Sequence, residues 1–259
     1  MSDVSTSGVS VERGERVATV WLERPPLHIL DIPTIAALDA AFADLARAED
    51  VQLVVVRGRG GKAFSAGVSI QDHTPDKVDA MLTGFHGAIR RLRALEAVTL
   101  AAIDGHCLGG GMELAFSCDL ALAAEESTFG LPEIKLGCYP PVAAALFPQR
   151  IGMQHTLEMA LTGRNYTCAE IAALGLLNWR VPRADFAAKL DEIETLLLDT
   201  SGAVLKLTKR AARAGESQAF GPALDEAERI YLQELCRTAD IEEGIGAFLA
   251  KRRPEWKHR

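Results

Sequence analysis

A strand that runs into three consecutive glycines and then into a helix start is the feature that most constrains this chain. An apolar run at 99–103 precedes glycines 109–111, and a short apolar segment follows with Glu113 inside its first turn. Glycine lacks a Cβ, so the backbone there can approach a ligand closely. The first N–H groups of the new helix have no intrahelical acceptor. We therefore predict that this turn binds developing negative charge.

A second carboxylate follows at short range. Glu133 lies 20 residues (133 − 113) after Glu113, beyond a second apolar, strand-like run at 120–124 and within a turn-rich stretch. Two acids can therefore flank one oxyanion site. Taken singly, a glutamate in the first turn of a helix ordinarily complements the helix dipole, and a glutamate after a proline can be a surface turn residue. Both structural interpretations stay open at this point.

Other glycine-dependent motifs do not fit the sequence. The pattern from Gly109 places Leu114 where a dinucleotide-binding fingerprint requires another glycine. A phosphate-binding Walker loop fails at Lys62, because Ala63 follows it in place of serine or threonine. Neither a G-x-S-x-G elbow nor an H-E-x-x-H metal motif occurs. A pair of carboxylates with a backbone anion hole remains, without a metal or nucleophile motif.

Four blocks of the sequence resemble the crotonase family, the enoyl-CoA hydratase/isomerase superfamily. They are GGGMELAFSCD at 109–119, FGLPEIKLG at 129–137, KAFSAG at 62–67 and EGIGAFLAKR at 243–252. β/α alternation alone would indicate only an α/β protein. The resemblance implies more: a crotonase-like spiral of ββα turns with a helical C-terminal region. It further implies a spiral core at 1–200 and a helical region for subunit packing at 201–259.

The resemblance also implies roles for individual residues. Glu113 and Glu133 correspond to the catalytic pair, and the N–H groups of Val68 and Gly110 correspond to the oxyanion hole. Val68-Ser69 replaces the Ala-Asp that is common in the family, but a backbone donor survives a change of side chain. We therefore expect an intact oxyanion hole.

The implied substrate contacts lie near the oxyanion loop and near the C-terminus. The residues are Ala66, Ser69, Ile70, Gln71, Phe248 and Lys251. Gln71 stands where many family members have a lysine near the nucleotide end of CoA. Ser69 and Asp72 form an S-x-x-D pattern that predicts a cap for a following helix. The basic C-terminal end is either a frayed helix end or, by resemblance, a contact for CoA phosphates.

Hydrophobic periodicity and turn residues predict the remaining elements. A hairpin is predicted at 9–22 and a buried strand at 51–56. The predicted helices are 33–47, 78–95, 157–161, 169–174, 186–198, 222–237 and 241–252, with a further helix opened by Pro141. His86 is interpreted as a surface or packed histidine of the second helix. His106, between a strand and the glycines, lies nearer the predicted site.

Composition and charge narrow the class of protein. The net charge of −7 argues against a nucleic acid or an anionic membrane as a general partner. The N-terminal residues lack a signal-like apolar segment, and no apolar run reaches the roughly 18 residues of a membrane span, so we expect a cytoplasmic protein. Five cysteines without a C-x-x-C indicate reduced thiols rather than disulfides or zinc. By resemblance, we expect a homotrimer or a dimer of trimers.

Two glutamates beside an oxyanion hole favour a hydratase. Addition of water to a double bond conjugated to a thioester needs a base for the water, an acid for the α-carbon and donors for the enolate oxygen. A site with a single glutamate suits isomerisation better. An isomerase, an acyl-CoA hydrolase and a non-catalytic acyl-CoA-binding protein stay open as alternatives. Coenzyme A is part of the substrate, and no separate cofactor is expected.

Several stretches resemble the cyclohexa-1,5-diene-1-carbonyl-CoA hydratase branch of the family. They lie at 24–27, 65–68, 72–73 and 133–144. Pro140-Pro141 replaces the glycine-rich turn that many hydratases have, which predicts a stiff pocket wall. The small side chains at 143–145 are expected to leave room for a ring. The resemblance therefore implies a cyclic dienoyl-CoA as substrate.

Overall fold

The computed structural model describes residues 8–216 and 218–259, which form alternating strands and helices. The strands are β1 (Val9–Arg13), β2 (Val17–Leu22), β3 (Leu53–Gly58), β4 (Ala63–Ser65), β5 (Val98–Ile103), β6 (His106–Leu108), β7 (Leu120–Ala124), β8 (Thr128–Gly130), β9 (Asn165–Thr167) and β10 (Trp179–Val181). The α-helices are α1 (Ile32–Leu45), α2 (Val78–Ala94), α3 (Gly110–Ser117), α4 (Pro141–Ile151), α5 (Met153–Thr162), α6 (Cys168–Ala173), α7 (Phe186–Leu198), α8 (Gly202–Ala214), α9 (Phe220–Gln233) and α10 (Ala239–Leu249). Short 3₁₀ helices occur at Ile70–Asp72, Pro132–Leu136, Arg183–Asp185 and Leu235–Arg237. Within these described ranges, no helix has the length and apolar character needed to cross a bilayer.

Successive turns of the chain contribute to two sheets. The larger sheet has the order β1-β2-β3-β5-β7-β10, and the smaller has the order β4-β6-β8-β9. Parallel strands β3, β5 and β7 of the larger sheet are each followed by a strand of the smaller sheet and then by helix α2, α3 or α4. This repeated strand–strand–helix order is the ββα spiral expected from the resemblance, so the predicted fold class is confirmed.

Strand β3 shows why the larger sheet lies inside the molecule. Val54 and Val56 belong to the apolar core beneath α1, α2 and α3, while Leu53 and Val55 belong to a second cluster that packs against α7. Alternate side chains of a strand point to opposite faces, so both faces of this strand are covered. The apolar run at 51–56, interrupted only by Gln52, predicted this environment, a parallel strand buried on both sides.

Several local predictions from the sequence are confirmed. β1 and β2 form the antiparallel hairpin, Pro141 opens α4, and α7 spans the predicted 186–198. The short strands β6 and β8 and the helix α8 were not predicted. The Ser69–Asp72 cap is wrong, because the Ser69 side chain makes no capping hydrogen bond. Asp72 instead accepts a hydrogen bond from the Ile32 N–H at the start of α1.

Polar contacts tie the C-terminal helices and tail to the spiral. Lys209 and Arg213 of α8 form ion pairs with the largely buried Asp119, which begins the turn before β7. Asp240 accepts hydrogen bonds from the backbone N–H groups of Lys257 and His258, so the last residues fold back onto α10. The basic end is therefore not a frayed terminus. The predicted division at residue 200 falls just before α8 and stays a prediction.

Candidate active site

The smaller sheet brings three distant segments to one place. β4, β6 and β8 are parallel neighbours, so their carboxyl ends lie at the same edge of the sheet. Val68 follows the end of β4, Gly110 follows β6, and Glu133 follows β8. The carboxyl ends of parallel strands are the usual place for binding residues in α/β proteins. These three short strands therefore bring the backbone of Val68, the backbone of Gly110 and the carboxylate of Glu133 to one edge of the sheet.

Val68 and Gly110 present two unpaired backbone donors. Leu30 donates to the Gly67 carbonyl and accepts from the Ser69 N–H, which leaves the N–H of Val68 directed away from Leu30. Gly110 is the first residue of α3, where an N–H has no intrahelical acceptor. Neither N–H has an acceptor among the residues that the structure describes. The two donors lie close together, since a Cβ placed on Gly110 would be 3.4 Å from the Val68 nitrogen.

Two of the glycines around these donors are required by geometry. Gly109 has a φ of 52°, and a Cβ placed on it would lie 2.7 Å from Oε1 of Glu133. Gly67 has a φ of 99°, and its Cβ would lie 2.9 Å from the Leu108 carbonyl oxygen. A side chain at either position would meet both backbone strain and a steric clash. The backbone at these glycines lies close to Glu133 and to Leu108, and its approach to a ligand stays a prediction.

Glu113 is held by the helix that Pro141 begins. Only 3% of this residue is exposed, and its Oε1 accepts a 2.8 Å hydrogen bond from the N–H of Ala143 in the first turn of α4. Removal from water raises the pKa of Glu113 to about 7, and the nearby charge of Glu133 acts in the same direction. The Ala143 N–H partly offsets this shift because it favours the carboxylate.

Glu133 lies across the site in the 3₁₀ helix after β8. Its Oε2 is buried and has no hydrogen-bond partner among the described residues. Desolvation raises the pKa of Glu133 to about 7 as well. Two carboxyl groups that titrate near neutral pH can therefore act as a proton acceptor and a proton donor in one cycle.

A cavity of about 210 Å³ connects these groups; we call it the catalytic cavity. Its walls include Phe85 of α2 and Pro140-Pro141 before and at the start of α4. Six of the residues predicted for the site line it: Ala66, Val68, Ile70, Gly110, Glu113 and Glu133. The small residues at 143–145 do not line it, because Ala143 packs in the core and its neighbours face outward. The expectation that they make room for a ring here is wrong.

The other predicted substrate contacts lie outside the catalytic cavity. Ser69 is half-buried and Gln71 is exposed, next to Ile70 at the entrance loop. Phe248 is 83% exposed at the end of α10, and Lys251 is exposed just beyond it. Their contacts with CoA stay predictions.

His86 is a cavity residue that the sequence interpretation missed. It lines the catalytic cavity, and its Nε2 is buried without a hydrogen-bond partner among the described residues. Burial and the neighbouring Arg90 lower the pKa of His86, which favours the neutral ring. His106, which lies nearer the predicted site in the sequence, is exposed on β6 and does not line the catalytic cavity. Helical spacing could have indicated this position, because His86 lies four residues after the apolar Leu82 and therefore on the same face of α2.

The chain is similar to a known family and to individual named proteins. The model of the family "Enoyl-CoA hydratase/isomerase" matches residues 12–259. A cyclohexa-1,5-dienecarbonyl-CoA hydratase from Thauera aromatica is 34% identical, with 100% of both chains covered. A short-chain-enoyl-CoA hydratase from Clostridium acetobutylicum is 29% identical over 96% of this chain and 97% of that protein.

Solved structures show the same architecture. The crystal structure of an enoyl-CoA hydratase from Bacillus anthracis superposes with a TM-score of 0.92 and 26% identity, covering 97% of this chain and 100% of the other. An enoyl-CoA hydratase from Geobacillus kaustophilus gives a TM-score of 0.93 at 26% identity, covering 99% and 98%. The resemblance inferred from the sequence is thus confirmed, and this chain is an enoyl-CoA hydratase-like enzyme that belongs to the enoyl-CoA hydratase/isomerase family.

Proposed function

We propose that the protein adds water to the double bond of an enoyl-CoA or dienoyl-CoA thioester. The observation that carries this proposal is one cavity lined by Glu113, Glu133, Val68 and Gly110, the last two with backbone N–H groups that have no acceptor among the described residues. An acid, a base and an oxyanion hole are the groups that hydration requires. The full-length similarity to proteins named as hydratases supports the same reaction class.

In the proposed mechanism the thioester carbonyl accepts hydrogen bonds from the N–H groups of Val68 and Gly110. These donors stabilise the enolate charge that forms as water attacks the β-carbon; loss of one such donor typically costs about 10²–10³ in rate. Glu113 removes a proton from the water, because the Ala143 N–H favours its ionised form. Glu133 gives a proton to the α-carbon, since desolvation favours its protonated form and its Oε2 has no hydrogen-bond partner among the described residues. The water oxygen ends on the β-carbon.

All of these steps use water and groups of the chain itself. Coenzyme A enters as part of the substrate, and the proposal invokes no further cofactor. The reaction is proposed to occur in the cytoplasm. The five cysteines, all within the described residues, are free thiols, which suits a reducing compartment.

The proposed acyl group is a cyclic diene. Support comes from the wall formed by Pro140 and Pro141, which lack the freedom of a glycine turn, and from the 34% identity to the Thauera hydratase. The catalytic cavity of about 210 Å³ suits a small, compact acyl group, since drug-sized pockets are about 300–1,000 Å³.

Turnover on a panel of acyl-CoA thioesters tests the function. We expect hydration of both crotonyl-CoA and cyclohexa-1,5-diene-1-carbonyl-CoA, with the higher kcat/KM for the cyclic thioester. A preference for crotonyl-CoA of about tenfold or more, about 1.4 kcal/mol in transition-state stabilisation, would refute the cyclic assignment. Isomerisation or thioester cleavage without hydration would refute the hydratase proposal, and absence of turnover on the whole panel would favour a binding protein.

We further propose assembly as a homotrimer or a dimer of trimers. The C-terminal helices carry large apolar side chains with high exposure: Phe220, Leu232, Ile245, Phe248 and Leu249. An apolar surface of this kind usually marks a protein–protein interface. Substitution of Phe248 by Ser is expected to lower the oligomeric mass and to raise the KM for the thioester together. An unchanged mass and an unchanged KM would remove Phe248 from both roles.

A further inference from the structure

A second cavity of about 590 Å³ adjoins the catalytic cavity; we call it the distal cavity. The two cavities share His86 of α2 and Pro141 of α4 as wall residues. Both helices continue from one cavity to the other: Leu82 lines the first and Ile89 the second, while α4 contributes Leu146 to the second. The distal cavity therefore lies beyond the part of the catalytic cavity that is bounded by His86.

The lining changes from apolar to cationic along one stripe of α2. The stripe follows helical spacing, with Met81 and Phe85 in the catalytic cavity, His86 at the boundary, and Arg90 and Arg93 in the distal cavity. Residues 86 and 93 are seven positions apart, which is about 10 Å along the helix axis. An acyl group that extends past His86 would thus meet positive charge, beside apolar residues such as Val142 and Leu146.

The positive charge of the distal cavity is only partly compensated. Its charged lining residues, within the described part of the chain, are Arg90, Arg93, Arg213 and the single acid Glu216. Glu216 pairs with both Arg93 and Arg213 at 2.8 and 3.1 Å, and Arg213 also pairs with Asp119, which lies outside the lining. Arg90 forms no ion pair with any described residue.

Two buried polar atoms in this region lack partners. Nη1 of Arg93 and Nε2 of His86 are both inaccessible to solvent and form no hydrogen bond with a described residue. A buried donor without an acceptor costs roughly 1–3 kcal/mol, and most buried polar atoms have a partner in the protein or in ordered water, so two unpartnered atoms beside one cavity call for an explanation. Both atoms belong to residues that line the distal cavity.

We propose that the distal cavity binds a carboxylate, carried on the end of the acyl group opposite the thioester and held by Arg93 with Arg90. Guanidinium groups suit carboxylates because they offer paired donors in a fixed plane. His86 is the residue of α2 that lines both cavities. The inference rests on the proposed hydratase function and extends it to acyl groups with a second carboxylate, whether the intervening carbons form a chain or a ring.

Matched thioesters test the proposal. The CoA monothioesters of hex-2-enedioic and oct-2-enedioic acid are compared with hex-2-enoyl-CoA and oct-2-enoyl-CoA in hydration by the full chain. For at least one length, we expect a kcat/KM about tenfold or more higher for the carboxylate-ended thioester, the size of effect typical of a charged hydrogen bond. A second arm measures crotonyl-CoA hydration with added adipate, to detect a free carboxylate bound in the same place.

Variants of α2 assign the effect to the distal cavity. Arg93→Gln and Arg90→Gln should each reduce the preference for the carboxylate-ended thioester. The preference is the ratio of the kcat/KM values for the two matched thioesters, measured on one preparation, so a general loss of activity cancels. Arg90 is exposed and forms no ion pair with a described residue, so Arg90→Gln leaves the ion pairs of Glu216 in place. Arg91→Gln is the matched control, because Arg91 lies on the same helix but pairs with Asp39 at the surface.

The outcomes separate the two proposals. Hydration of any enoyl-CoA without a preference for carboxylate ends, and without a response to adipate, overturns the distal site while the hydratase proposal stands. A second outcome is that carboxylate-ended thioesters are not preferred, but adipate changes crotonyl-CoA hydration and Arg93→Gln abolishes this effect. That result supports the carboxylate site and assigns its ligand to a separate molecule. A preference that persists in both Arg93→Gln and Arg90→Gln overturns the site. Absence of hydration on every thioester refutes the proposed function itself.

Discussion

Replacement of Glu113 by Gln is expected to stabilise the protein at alkaline pH. The side chain is almost fully buried, and its folded-state pKa is raised from 4.5 to about 7. The folded protein therefore binds this proton more tightly than the unfolded chain does. The resulting stability is fully present below about pH 4.5 and is lost as the pH rises through about 7. Gln has no proton to lose, and its oxygen can keep the hydrogen bond from Ala143.

The size of the effect follows from the pKa. One unit of pKa corresponds to about 1.4 kcal/mol, so the full shift is worth about 3 kcal/mol. Between about pH 5 and about pH 8.5, the free energy of unfolding of the variant minus that of the wild type should rise by about 2–3 kcal/mol. Glu133 titrates in both proteins and largely cancels in this difference.

Urea denaturation at a series of pH values measures the difference. Glu15→Gln is the control, because it removes the same charge from an exposed position in the β1–β2 hairpin. We expect a flat difference for the control and a rising one for Glu113→Gln. A flat difference for both variants would refute the argument that burial holds the Glu113 proton.

Two further predictions concern the glycine turn and the C-terminal helices. Gly109→Ala should lower kcat about 10²-fold through displacement of Glu133 while the fold is kept, and steady-state kinetics with a circular dichroism spectrum checks this; unchanged kcat would refute the steric argument. Asp119→Asn should cost about 3 kcal/mol of unfolding free energy because it removes the largely buried charge that Lys209 and Arg213 of α8 both contact, whereas the exposed Asp44→Asn should cost about 0–1 kcal/mol. Equal losses in the two Asp variants would contradict the anchoring role of Asp119.

The sequence predicted the elements that carry long or chemically distinct patterns. The apolar run of β3, the proline that opens α4 and the glycines before α3 each have a local physical cause, and each appears where expected. The smaller sheet escaped prediction because its strands have three residues, too few for a period of two to stand out. The alignment of the site therefore follows from strand pairing that no local pattern reveals.

The histidines illustrate what local patterns miss at the site. His106 is closer in sequence to the glycines, yet alternation along β6 turns it outward. His86 is distant in sequence, yet α2 crosses the cavity and brings it to the wall. Likewise, the Asp72 carboxylate accepts from the first N–H of α1, that of Ile32, which is 40 residues away in the chain. Proximity in the fold overrides proximity in the chain in all three cases.

Turnover of crotonyl-CoA by Glu133→Gln and by Glu113→Gln tests the central claim, that these two carboxyl groups transfer the protons of hydration. Each amide keeps the size of the side chain and the oxyanion donors but cannot exchange a proton. We predict a kcat lower by on the order of 10² or more in each variant, with the thioester Kd within a few-fold of the wild type. A near-normal kcat in either variant would remove that glutamate from the mechanism and contradict the account.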